Sequence, residues 1–201
     1  MTTLLLADDQ ALVRGALAAL LSLEEDLEVV AEVGSGDEVL EAARRTRPDV
    51  AVLDVEMPGM DGITVAAQLV EQVPGTRVLI VTTFGRPGYL RRALEAGASG
   101  FVVKDTPAEE LAEAVRTVAG GGRVVDPSLA TEVVVGGPNP LTDREREVLR
   151  QALDGSSAST IAGRVHLSPG TVRNHLSSAI GKTGSSNKVE AARRAQDLGW
   201  L

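Results

Sequence analysis

The sequence predicts an α/β protein: a doubly wound parallel sheet of the (βα)5 kind, followed by a small all-α unit of four helices. Three observations carry that expectation. Five apolar runs of strand length alternate with five amphipathic stretches over the first 119 residues, the order that a parallel sheet with helices on both faces requires. The runs are continuous rather than alternating, which fits strands covered on both sides. Beyond Pro140 no strand pattern recurs.

The first run, Thr3–Ala7, is followed by a helical stretch at Val13–Leu23. The next strands fall at Val29–Val33, Val50–Leu53, Val78–Val81 and Gly100–Val103, and the helices after them at Asp37–Arg45, Gly62–Gln72, Gly88–Ala96 and Pro107–Ala119. Pro107 suits the first position of its helix. Gly120–Gly122 and the run Gly136–Gly137–Pro138–Asn139–Pro140 mark a connector, with a short helix around Pro127–Val134. The expected organisation is 1–119, a linker at 120–139, and 140–201. The last unit holds helices at Asp143–Leu153, Ser157–Val165, Pro169–Lys182 and Asn187–Leu198. Ser168 is a good N-cap for the third of these, with Pro169 at its first position.

Composition narrows the class. Of 201 residues, 43% are hydrophobic and only 2% aromatic, so the core must be aliphatic. With no cysteine, disulfides and thiolate metal sites are excluded. The segment Met1–Ala7 is too short for a signal peptide and lacks a basic start. No apolar run approaches a membrane span, so a cytoplasmic protein is expected. The net charge of −8 is uneven: residues 1–137 hold 11 basic and 22 acidic side chains, residues 138–201 hold 9 and 6. An acidic body with a mildly basic tail suits two modules, the second facing nucleic acid.

In an open parallel sheet, ligands bind beyond the carboxyl ends of the strands. Asp8 and Asp9 follow the first strand, Asp54 the third and Lys104 the fifth, while Thr82 and Thr83 close the fourth. Three carboxylates share a crevice only if a cation offsets them. Oxygen-only ligation that leaves room for water suits Mg²⁺, or Mn²⁺. A carboxylate beside such an ion can attack a phosphoryl group. Lys104 would neutralise one phosphoryl oxygen and Thr82 would donate a hydrogen bond to another. Singly, a strand-end Asp is usually a helix cap and a Lys a solvated surface group; their conjunction on neighbouring strand ends is what points to chemistry.

The pieces "ADD", "LDVEMPGMDG", "VTT" and "GFVVKD" resemble the receiver domain of two-component response regulators over residues 1–118. The resemblance implies Asp54 as phosphoacceptor. It implies direct metal contact by Asp9 and Asp54, a water-mediated one by Asp8, and a backbone carbonyl from Glu56. It makes Thr82 and Phe101 the switch pair, Phe101 moving inward as Thr82 is drawn to the phosphate. Lys104 opens a "KDTP" junction sensitive to cis isomerisation. Thr83 stands where many receivers have alanine, and Glu56 and Phe84 flank the approach of water.

The stretch "LTDREREVLRQALDGSSASTIAGRVHLSPGTVRNHLSSAIGKTG" resembles the LuxR-type (NarL/FixJ class) helix-turn-helix, and the "SPGTVRNHLSSAI…GWL" ending resembles its DesR-like subgroup. Thr160 and Thr183 depart from the residues usual at their positions. Helical periodicity agrees with this resemblance. With Val172 at 0°, Leu176, Ala179 and Ile180 fall within roughly 80° of it, while Arg173, Asn174 and Ser177 fall at roughly 100–200°. Arg and Asn suit base edges in a major groove. Arg173, Asn174 and Ser177 are therefore expected at DNA, together with Thr171 at the start of the same helix, and Lys182 and Lys188 on phosphates. The implied partners are a sensor histidine kinase, double-stranded promoter DNA, a second copy on phosphorylation, and RNA polymerase, with no membrane. The expected function is a phosphorylation-switched transcription regulator, not a turnover enzyme. One rival is an aspartate-phosphoryl phosphatase, for which Glu56 has the right spacing but Met57–Pro58 does not fit. The other is a regulator acting without phosphate, which would not need the full acidic site.

Overall fold

Residues 1–83, 87–126, 129 and 139–201 are described in the computed structural model. Their contacts divide the chain into two compact units, one carrying the sheet and one built from the C-terminal helices.

The sheet unit runs β1 (Thr2–Ala7), α1 (Ala11–Leu21), β2 (Leu27–Val33), α2 (Gly36–Thr46), β3 (Val50–Leu53), α3 (Gly62–Gln72), β4 (Arg77–Thr82), α4 (Pro87–Glu95), β5 (Gly100–Val103), α5 (Ala108–Ala119) and β6 (Val124–Val125). Every pairing is parallel, in the order β2-β1-β3-β4-β5-β6. Leu4, Leu5 and Leu6 of β1, all of β3 and Val78–Val81 of β4 are buried, as a sheet covered on both faces demands. Leu111, Ala112, Val115 and Val118 of α5 join Leu4, Leu6, Val52, Leu79 and Val81 in one aliphatic cluster.

Several local differences from the expected pattern have physical causes. Helix α1 starts two residues early because the Gln10 carbonyl already accepts Arg14 N (2.9 Å), and it ends at Leu21 where Ser22 closes it. Pro107 is the N-cap, with extended ψ of 145°, and Ala108 is the first helical residue. No peptide bond among the described residues is cis, so the Thr106–Pro107 bond is trans. The residues expected to begin a linker contain β6, which extends the sheet by pairing Val124 with Gly100 and Val125 with Phe101. The short helix expected around 127–134 and the position of Phe84 lie outside the described residues.

The second unit runs α6 (Asp143–Arg150), α7 (Ala158–Val165), α8 (Pro169–Thr183) and α9 (Lys188–Asp197). Helix α6 is three residues shorter than expected. Bonds from Ala152 N to Leu149 O and from Gly155 N to Ala152 O tighten the chain into turns there, and Gly155 takes a positive φ of 80°. Side chains of Thr142, Ser157, Ser168 and Asn187 cap the four N-termini. Val148, Leu149, Ile161, Val165, Val172, Leu176, Ala179, Ala191 and Trp200 form the core. No helix among the described residues is long and apolar enough to cross a membrane.

Candidate functional site

Strand order decides which groups meet. With β3 between β1 and β4, and β5 beyond β4, residues just past the strand ends converge on one edge. Backbone bonds lock the ends in step: Asp54 N donates to Ala7 O (2.8 Å) and Lys104 N to Thr82 O (2.8 Å). The loop after Asp54 is folded tightly back. Gly62 begins α3 directly over the Asp54 carbonyl, where a Cβ would lie 1.9 Å from that oxygen. The Asp61 side chain caps α3 by accepting from Ile63 N and Thr64 N.

Lys104 lies between two buried carboxylates. Its Nζ donates to Asp54 Oδ2 at 2.8 Å and stands 2.7 Å from Asp8 Oδ2, with Asp8 and Asp54 side chains only 3% and 4% exposed. Asp54 Oδ1 accepts from Val55 N (2.7 Å) and Asp8 Oδ1 from Gln10 N (2.9 Å), which fixes both carboxylates. Burial raises the Asp54 pKa above the usual carboxylate range against the pull of Lys104. Burial alone would lower Lys104, but Asp54 and Asp8 outweigh it and raise its pKa.

Oxygens of Asp8, Asp9 and Asp54 lie within 4.8 Å of one another. Asp8 Oδ2 is buried and has the Lys104 ammonium, at 2.7 Å, as its one described partner. An oxygen-only donor set of two buried carboxylates and one exposed one, Asp9, fits a hard divalent cation that keeps part of its water. A cavity of about 200 Å³ lined by Gln10, Asp54, Glu56, Thr82 and Thr83 opens beside it. Thr82 is buried, Thr83 exposed, and Phe101 fully enclosed in the core. A larger cavity of about 500 Å³ is lined by Arg44, Arg47, Asp49, Gln72 and Thr76. Its one carboxylate, Asp49, accepts from Thr3 N and Oγ1.

Two contacts here escaped the sequence reading. Arg14 Nη1 donates to the Asp8 carbonyl (2.5 Å), and Tyr89 Oη donates to Glu56 Oε1 (3.3 Å). Neither has a local signature, since six and 33 residues separate the partners.

In the second unit, Thr171, Arg173, Asn174 and Ser177 are exposed on α8, while Val172, Leu176 and Ala179 are buried. The Thr171 hydroxyl pairs with the N-cap Ser168 (2.8 Å). The two lysines expected on phosphates have other partners. Lys182 Nζ donates to Glu145 Oε2 (2.7 Å), and Lys188 Nζ donates to the carbonyls of Gly155 and Ser156. Each ammonium thus has acceptors within its own fold. The capping-box spacing of Thr142 and Glu145 was the signal that could have drawn attention to Glu145.

Two family models match. The one described as response regulator receiver domain covers residues 4–116; the one described as bacterial regulatory proteins, luxR family, covers residues 139–195. The transcriptional regulatory protein DesR of Bacillus subtilis (strain 168) is 42% identical over 201 residues, 100% of both chains. The transcriptional regulatory protein UhpA of Escherichia coli (strain K12) is 40% identical over 200 residues, again 100% of both. Among solved structures, the response regulator ChrA of a heme-sensing two component system aligns with 100% of this chain and 98% of its own, at 32% identity and a TM-score of 0.60.

Proposed function

The chain belongs to the response regulators that join a receiver to a LuxR-family DNA-binding domain, and on that premise we propose that it regulates transcription under the control of phosphorylation at Asp54 by a sensor histidine kinase. The observation that supports this most is the pairing of Lys104 with buried Asp54 and Asp8 beside a solvent-open cavity. Receiver, connector and DNA-binding unit are assigned to 1–119, 120–139 and 140–201, with Val124 and Val125 at the start of the connector paired into the receiver sheet.

Asp9 and Asp54 would hold Mg²⁺ or Mn²⁺ directly, with Asp8 through water and Glu56 through its carbonyl; the ion supplies positive charge where phosphoryl oxygens gather it. Asp54 is the nucleophile. Its carboxylate is held in rotation by Val55 N and Lys104 Nζ. As a bond forms between an Asp54 oxygen and phosphorus, the bond from phosphorus to the donor's imidazole nitrogen breaks. Lys104 shifts its charge to a phosphoryl oxygen, and the Thr82 hydroxyl donates to another. Phe101, next to Thr82's strand in register with Ile80, responds to that displacement. A small shift of this kind biases a two-state element, here toward a dimer that binds promoter DNA and acts on RNA polymerase. Arg173, Asn174 and Ser177, with Thr171, read the major groove. The protein takes one phosphoryl group rather than turning over a substrate.

Intact mass after incubation with acetyl phosphate and Mg²⁺ tests the receiver half. One phosphoryl mass is expected, absent in Asp54→Asn; a phosphorylated Asp54→Asn would overturn the assignment. Sedimentation and promoter binding with and without beryllofluoride test the output half, and identical behaviour in both states would refute the switch.

A further inference from the structure

The recognition-helix candidate α8 packs against the other three helices of its unit. Its core face offers Val172, Leu176 and Ala179, with Ile180 only half-buried. Glycine, serine and alanine fill much of the rest. Small side chains make few dispersion contacts each, so a polar contact on the flank of the helix adds to what fixes its rotation.

A buried carboxylate provides such a contact. Glu145 on α6 is 5% exposed in its side chain. Its Oε2 accepts from Thr142 N (2.7 Å) and Lys182 Nζ (2.7 Å), and its Oε1 accepts from Ser178 Oγ (2.6 Å). Ser178 and Lys182 are four residues apart, one turn, and therefore share a flank of α8 between its core face and its outward face. Burial would raise the Glu145 pKa, yet these bonds hold it at about 2.

We propose that Glu145 is a positioning residue for DNA reading: clasped by Ser178 and Lys182, it fixes the rotation of α8 about its own axis, and so the direction in which Arg173, Asn174 and Ser177 point. The inference rests on the DNA-reading function proposed above. Geometry gives its scale. At a helix radius of about 5 Å, a turn of about 20° moves a side-chain position by about 2 Å. A built site tolerates only about 0.5 Å or about 10–20°. Lys182 thus acts from behind the helix, as a counter-charge, without touching the nucleic acid.

The test measures fluorescence anisotropy of the full chain on a selected site and its point variants across a salt series, for Glu145→Gln, Lys182→Met, Lys182→Arg and Ser178→Ala. Trp200 emission checks folding. Glu145→Gln and Lys182→Met should each reduce discrimination between bases about tenfold with the salt slope unchanged, and Lys182→Arg should keep most of it. Folded variants that hold discrimination within about twofold overturn the inference. So does a Lys182→Met that weakens every sequence alike and lowers the salt slope by about one unit, the mark of a lost phosphate contact. If Glu145→Gln does not fold, Ser178→Ala and Lys182→Met decide by the same criteria. A wild-type chain without base preference overturns the DNA-reading function itself.

Discussion

Replacing Lys104 with methionine removes the ammonium that pairs with both Asp8 and Asp54. Their oxygens then lie no more than 4.8 Å apart. At an effective dielectric constant of about 20, two unit charges at that distance repel by about 3.5 kcal/mol. Breaking a buried ion pair by removing one partner costs about 3–5 kcal/mol, so both routes give a loss of about 3–5 kcal/mol from the sheet unit. Protonation relieves part of it. Burial raises the folded pKa of Asp54, so ionising it costs stability as pH rises through that pKa, and the penalty shrinks on acidification. Mg²⁺ at about 100 times its dissociation constant should return about 2.7 kcal/mol. Amide exchange of β1 and β3 peptides in the full chain reads the sheet unit, in EDTA and in Mg²⁺, while Trp200 emission follows the other unit as a control. A Lys104→Met protein whose β3 exchange in EDTA matches wild type would refute the reasoning, because the two carboxylates would then be neutral or apart.

Acid should unfold the helical unit through Glu145. Its folded pKa of about 2 lies below the ordinary 4.5, so its contribution is fully present above about pH 4.5 and is lost as pH falls towards 2. Trp200 emission should show that slope, and Glu145→Gln should flatten it. Gly62→Ala forces a Cβ to within 1.9 Å of the Asp54 carbonyl and should slow phosphorylation by acetyl phosphate at least about tenfold, with about 1–3 kcal/mol lost to overpacking. Gly163→Ala meets nothing within 4 Å and should stabilise α7 by about 0.5–1 kcal/mol in denaturant melts. Arg173→Ala should erase preference at one base position per half-site, about 1–3 kcal/mol, on point-variant oligonucleotides; a uniform loss over all variants would count against an outward-facing Arg173.

The sheet was legible because parallel strands buried on both faces read as unbroken apolar runs, and β3 and β5 have the expected ends for that reason. Convergence of Asp8, Asp54 and Lys104 followed from their places at the carboxyl ends of parallel strands. What the sequence hid were pairings between distant residues. The sequence reads Lys182 as a phosphate contact and is silent on Glu145, because nothing local announces a carboxylate 37 positions earlier. Lys188 hid its partners in the same way, since carbonyl acceptors belong to every residue. Two-residue β6 carries no periodicity and sits among glycines, so its composition reads as linker.

That short strand also bears on solubility. An open strand edge presents unpaired amides and carbonyls to any other edge it meets. On one side of the sheet β2 carries exposed Glu28 and Glu32, charges that discourage such joining. On the other, β5 has an aliphatic and aromatic sequence, GFVV, with no charge to repel a neighbour. There β6 occupies the edge, with Val124 N donating to Ser99 O (3.1 Å) and Asp126 N to Phe101 O (3.3 Å). A receiver fragment trimmed at Ala119 would uncover those carbonyls. It would self-associate edge to edge whatever the state of Asp54, and would mimic a signalling dimer for reasons unrelated to signalling.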